Sequence, residues 1–192
     1  MFNITQICSA FILLLSCQVA AADSWNLPQE LNDQNTQVTF AVDSTWHMVH
    51  GVTSGLAGKV WLADPKNQAS LKAEIRIPVA RFNTDNASRD ERLREVMAAK
   101  EYQEVVLRLN SGPDCSITQG ELSECRGELL GSLEIRGVSK DLRLPYLIKK
   151  DGEHYLVSGE LSLMWGSFGV EDPSILIARV DPEVTIKYQV RL

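Results

Sequence analysis

The chain predicts an all-β protein of eight antiparallel strands with a single helix. Three observations carry that prediction. Apolar and polar residues alternate with a period of two along most of the 192 residues, which gives each strand one dry and one wet face. Turn-forming dipeptides, among them Asp64-Pro65 and Asp151-Gly152, separate the alternating runs. Only one stretch, near residue 90, repeats its apolar residues at helical spacing.

Residues 1–22 read as a cleaved export signal. The apolar run 7–15 is too short to span a bilayer as a helix. Ala20-Ala21-Ala22 fits the small-x-small cleavage rule, with the cut before Asp23. A second reading is a lipoprotein signal, in which Leu14-Leu15-Ser16-Cys17 leaves a lipidated Cys17 at the new N-terminus. Residues 23–35 are polar and broken by Pro28, and are expected to form an N-terminal arm. The strand domain then runs over 36–192.

In the first strand Val38, Phe40 and Val42 alternate with Gln37, Thr39 and Ala41. After a bend at Asp43-Ser44 it is expected to continue through Trp46 to His50. A loose turn at Gly51, Gly55 and Gly58 leads to the second strand, 57–63. The third, 71–77, turns Leu71, Ala73, Ile75 and Ile77 inward, and Pro78 limits ladder pairing at its end. The helix is expected over 88–100. Ser88 and Glu91 stand at capping-box spacing, with Leu93, Val96 and Met97 on one face. The fourth strand, 104–110, faces Val105, Leu107 and Leu109 inward.

A hairpin follows, with strands at 126–136 and 140–149 around Gly137-Val138-Ser139-Lys140. Its Leu133, Ile135, Leu142 and Leu144 are expected as wall, and Glu134, Arg136, Lys140 and Arg143 as solvated face. The seventh strand, 154–163, carries Tyr155, Val157, Gly159, Leu161 and Leu163 inward. Residues 165–181 are irregular, with Asp172-Pro173 expected to start a short helix. The last strand, 183–191, faces Val184, Ile186, Tyr188 and Val190 inward. Eight strands with one apolar face each must bury it, either as a sandwich or as a barrel closed on itself.

The net charge of −6 disfavours phosphate backbones, so nucleic acid is not an expected partner. Export leaves Cys115 and Cys125, which an oxidising compartment would join. A loop of that size contributes about 3 kcal/mol in the chain-entropy model. No metal site is expected, because two thiols lack close His or Cys partners. His47 and His50 point to opposite faces of a strand and make a poor chelating pair. The sequence has no Gly-x-Ser-x-Gly elbow and no phosphate-binding glycine loop. Arg89-Asp90 at the helix start serves caps and backbone groups more readily than catalysis. No catalytic residue is expected, so the chain reads as a non-enzyme.

Several blocks together resemble the YceI-like family over about residues 36–191. They are Gly51 with Gly58, Asp64-Pro65, and Thr84 with Asn86, Arg89, Asp90 and Leu93. Gly131-x-Leu-x-Ile-Arg-Gly-Val-Ser-Lys140 is the most recognisable, and Phe168-Gly169-Val170 completes the set. Asp85 stands where that family usually has Gly, Arg92 replaces its usual His, and Trp165 replaces an Arg. Val96 and Met97 stand for a pair of Phe, and Gln103 for a Pro.

The resemblance implies an exported bacterial protein with an eight-stranded lipocalin-like barrel that binds polyisoprenoid lipid. It implies a periplasmic location and no cofactor beyond a lipid such as a polyisoprenoid or isoprenoid quinone. The expected lining is Val38, Phe40, Leu71, Ile75, Val105, Leu107, Leu133, Tyr146, Tyr155, Leu161, Phe168 and Tyr188. Gly131 and Gly159 are expected to leave room there, and the helix and 165–178 to gate the mouth. Any membrane contact is expected to be transient or through a lipidated Cys17. The alternative is an envelope interaction protein whose barrel is filled and whose loops bind a partner protein.

Overall fold

The computed structural model describes residues 27–114, 124–174 and 178–192. The expected signal segment and the Cys115 end of the expected disulfide lie outside the described residues. The described chain folds into ten strands: β1 (Gln29–Asn32), β2 (Thr36–Ser44), β3 (Val49–Val52), β4 (Ala57–Leu62), β5 (Leu71–Pro78), β6 (Glu104–Leu109), β7 (Glu124–Ile135), β8 (Val138–Asp151), β9 (His154–Met164) and β10 (Val180–Arg191). A helix, α1 (Ala87–Val96), lies between β5 and β6.

All ten strands form one sheet in the order β1-β4-β5-β6-β7-β8-β9-β10-β2-β3. That order forces curvature. Flat, the sheet would separate β1 from β2 by about eight strand spacings, close to 38 Å. Only residues 33–35 join them, and so short a link reaches roughly 14 Å. The sheet therefore curls strongly and brings β1 near β2, although among the described residues no ladder joins its edge strands β1 and β3. Polar bonds hold the 33–35 link on both sides: Arg191 N, at the end of β10, donates to Asn35 O at 2.7 Å, and the Asp33 carboxylate accepts from Gly55 N and Leu56 N, just before β4, at 2.6 and 3.0 Å.

The expected eight strands are thus ten, for two local reasons. Part of the polar arm pairs as β1, with Leu31 opposite Gly58 and buried. The stretch expected to prolong the first strand instead turns back at 45–48 and pairs antiparallel with β2 as β3, with Phe40 opposite Gly51. A Cβ on Gly51 would sit 2.1 Å from the Phe40 ring, so this pairing needs glycine.

The long hairpin is β7–β8. Its turn has two residues, Arg136 and Gly137, both at positive φ (50° and 72°), so the strands are longer and the turn tighter than the sequence implies. The helix begins one residue before the expected start and ends four before the expected end. Asn86, not Ser88, caps it by accepting from Arg89 N at 3.1 Å, and Ala98 at φ 49° stops its continuation. The short helix expected from Pro173 is not seen at 172–174. A 3₁₀ turn at Trp165–Phe168 stands upstream instead, ended by Gly169 at φ 73°.

Gly131 and Gly159 do not enlarge the interior. A Cβ at Gly131 would lie 2.1 Å from Arg108 O, and one at Gly159 2.1 Å from Pro145 O. Both glycines allow close backbone approach. Gly131→Ala and Gly159→Ala should each lower stability in urea denaturation by about 1–3 kcal/mol through overpacking. Gly166→Ala, where no atom lies within 4 Å, should leave the transition nearly unchanged.

Candidate functional site

The inward faces enclose a cavity of about 270 Å³. Val38, Phe40, Leu71, Ile75, Val105, Leu107, Leu133, Leu161 and Tyr188 all border it. Tyr146, Tyr155 and Phe168 do not. Tyr146 and Tyr155 are buried with Ile148 and Val157 in the apolar cluster beside the cavity, and Phe168 is buried with Val79, Val96 and Met97. Strand parity assigns a side chain to the inner face, but not to the open part of it. Val42, Phe82, Trp165 and Pro173, absent from the expected lining, also border the cavity, as do Leu93 and Val96 of α1 and Met97 at its C-cap. Phe82 carries the one signal that could have placed it, an aromatic just before the helix; its ring lies 5.6 Å from that of Phe40 between centroids, tilted by 40°.

Among the described residues the wall carries three side-chain hydroxyls, and each donates its hydrogen bond to the protein. Thr36 Oγ1 donates to Asn35 Oδ1 at 3.0 Å, Thr53 Oγ1 to Val38 O at 3.2 Å, and the Tyr188 hydroxyl to Pro145 O at 2.7 Å. Burial, with Tyr146 beside it, pushes the Tyr188 hydroxyl above its ordinary range, so it stays a neutral donor. Among the described residues no charged side chain borders the cavity, and the wall they form offers dispersion contacts and no free proton donor. Among the described residues, no group of three or more His, Cys, Asp or Glu is placed to hold a metal.

Two elements cover the cavity. The first is α1, whose start is fixed by a polar knot. Buried Thr84 donates from N and Oγ1 to Asp90 Oδ1 at 2.9 and 2.5 Å, while Arg89 donates from Nε to Thr84 Oγ1 at 2.8 Å and from Nη2 to Thr84 O. This is the structural role expected of Arg89-Asp90. Asp85 precedes the helix at φ 62°, a conformation that favours glycine.

The second cover is a strap, residues 165–174. It lies where the wall opens. Among the described residues β8 and β9 pair only from Leu147 opposite Ser158 to Asp151 opposite His154. Pro145 has no N–H to continue the ladder, and its carbonyl is taken by Tyr188. Beyond that point Phe168 packs in one cluster with Leu142 of β8 and Leu163 of β9. Arg136 at the hairpin turn donates from Nη1 to Gly169 O and from Nη2 to Glu171 Oε1 at 2.9 Å. Lys140 Nζ sits 5.5 Å over the Phe168 ring. Arg136, half-buried, is therefore a clamp on the strap and not part of the solvated face, while Lys140 touches the strap through the Phe168 ring and stays exposed, as the sequence suggests. Glu134 and Arg143 do face outward, paired with Arg108 at 3.0 Å and Glu128 at 3.4 Å.

A family model described as YceI-like domain matches residues 29–192. No curated protein matches the chain. Among solved structures, BcnA from Burkholderia cenocepacia is similar at 20% identity and a TM-score of 0.65, covering 82% of this chain and 96% of that one. A polyisoprenoid binding domain from Saccharophagus degradans, implicated in plant cell wall breakdown, is similar at 12% identity and a TM-score of 0.65, covering 81% and 92%. The YceI protein of Campylobacter jejuni is similar at 22% identity and a TM-score of 0.56, covering 75% and 84%. At these identities the likeness is one of fold.

Arg136→Ala should free the strap while the barrel stays folded. Backbone amide exchange over 168–171 should accelerate about tenfold or more, with little change elsewhere. Asp85→Gly should raise the unfolding free energy by up to about 1 kcal/mol by relieving the left-handed residue, read as a shift in urea midpoint.

Proposed function

The chain belongs to the YceI-like family, and from that premise we propose that it binds a long apolar lipid, a polyisoprenoid or an isoprenoid quinone, inside its curled sheet. The observation that carries this reading is the cavity wall, whose hydroxyl protons are all spent on protein acceptors. Such a wall selects a tail and gives no anchor to a polar group. Each buried CH₂ contributes about 0.8 kcal/mol, so a chain of several isoprene units is held without any ionic contact. Binding is non-covalent and no chemical step is assigned to the site. The mechanism is sequestration, with α1 and the strap closing over the tail. The Saccharophagus domain named for polyisoprenoid binding shares the fold and supports the ligand class.

The location proposed is the periplasm, after removal of residues 1–22, with carriage or storage of the lipid as the role. A filled barrel acting only through its loops is the lesser reading, since large side chains would then occupy the interior that stands open.

Two measurements test the proposal. Mass spectrometry of organic extracts from protein purified from its native host should release a long unsaturated neutral lipid. Adding such a lipid to stripped protein should raise its melting temperature, because the ligand binds only the folded state. Leu107→Trp and Ile186→Trp, which point indole rings into the cavity, should lower lipid uptake at least tenfold while circular dichroism stays that of a β protein. Unchanged uptake in both folded variants would exclude the interior as the binding site.

A further inference from the structure

The cavity mouth has an apolar rim that the interior does not need. Val42, Pro173 and Val180 border the cavity and are only partly buried. Just beyond Val42, the turn between β2 and β3 holds Trp46 at 64% and Met48 at 47% exposure. Met164, 48% exposed, ends β9 opposite Glu183. The turn is fixed beside the mouth: Thr45 N donates to Arg179 O at 3.0 Å, and Arg179 N to Thr45 Oγ1 at 2.8 Å. An indole and a thioether held out in water at a loop tip lose the burial that each would gain at a lipid interface, where Trp is favoured.

The charge around the rim narrows the partner. Asp43, Glu171, Asp172, Asp181 and Glu183 flank it against Arg179, Lys140 over the strap and the Arg136 already engaged by Glu171, so acid outnumbers base. An acidic rim is repelled by anionic headgroups, and it lacks the cation cluster that such a surface would attract.

We propose that Trp46 and Met48 at the tip of the β2–β3 turn insert shallowly into a lipid bilayer of net-neutral headgroups, which sets the cavity mouth against the membrane. The proposal rests on the reading that the cavity takes a lipid tail, and it adds the surface from which the tail enters. With few side chains engaged, attachment is reversible and the loaded protein can leave.

The test is co-sedimentation with phosphatidylcholine vesicles, using the protein as processed by its expression host. The wild type is compared with Trp46→Ser/Met48→Ser and with Leu130→Ser, which removes an exposed apolar side chain on the outer face of β7. All share the same N-terminus, so any anchor there cancels. The wild type and Leu130→Ser should bind alike, and the double variant at least tenfold more weakly. Binding should survive high salt, and phosphatidylglycerol should not strengthen it. Equal binding by the double variant, dependence on anionic lipid, or a dimer in which a second copy covers Trp46 would each overturn the proposal.

Uptake of a short water-soluble isoprenoid alcohol, measured without vesicles, separates the two readings. The double variant should retain it. A wild type that takes up the alcohol but ignores vesicles refutes the docking alone. A wild type that binds vesicles but takes up no isoprenoid refutes the cargo reading and leaves the rim standing.

Discussion

The structure depends on one constraint: the interior must stay dry along a wall that hydrogen bonds do not fully close. Backbone pairing seals most of the curled sheet, strand against strand. Between β8 and β9 it stops at the level of Pro145, and other means take over. Tyr188 caps the Pro145 carbonyl, Gly159 lets that carbonyl come close, and Phe168 fills the gap beyond. Arg136 and Lys140 then hold the strap from outside. The family's most recognisable block, from Gly131 to Lys140, ends in these two cations. In this chain its polar residues secure the cover of the cavity while its apolar ones build the wall.

Much of the fold was legible because strand parity is a short-range property. Leu71, Ala73, Ile75 and Ile77 declare their face within eight residues, and each lies where the alternation puts it. Gly137 likewise announces a reversal. What stayed hidden depends on partners distant in sequence. Nothing in Gln29–Asn32 says strand until β4 is there to pair with it. The turn at 45–48 depends on Arg179, far along the chain. The helix start is set by a local exception: Asp85 is bent into the left-handed region, and Asn86 after it, not Ser88, caps the helix.

The site was legible to the same degree and failed for the same reason. Alternation marked Val38, Phe40, Leu107 and Tyr188 as inward. It could not tell them from Tyr146 and Tyr155, which share that face and are buried without bordering this cavity. Depth along a barrel depends on where the neighbouring strands end. The two glycines show the converse error. Gly131 and Gly159 read as vacant space, but each is a point where two backbones nearly touch.

The strand order also fixes when the interior can exist. β2 lies against β10, with Thr36 opposite Val190, so a strand made early waits for one made last. During synthesis the middle hairpins can pair as they emerge, since their partners are neighbours in sequence. The closing ladder cannot, and its search spans nearly the whole chain. Until then the inner face lies open to water and to other chains, like any unpartnered apolar sheet. A chain that must cross a membrane before folding would meet this interval on the far side. On the function proposed above, a lipid tail that fills the groove early is a template around which β2 and β10 close.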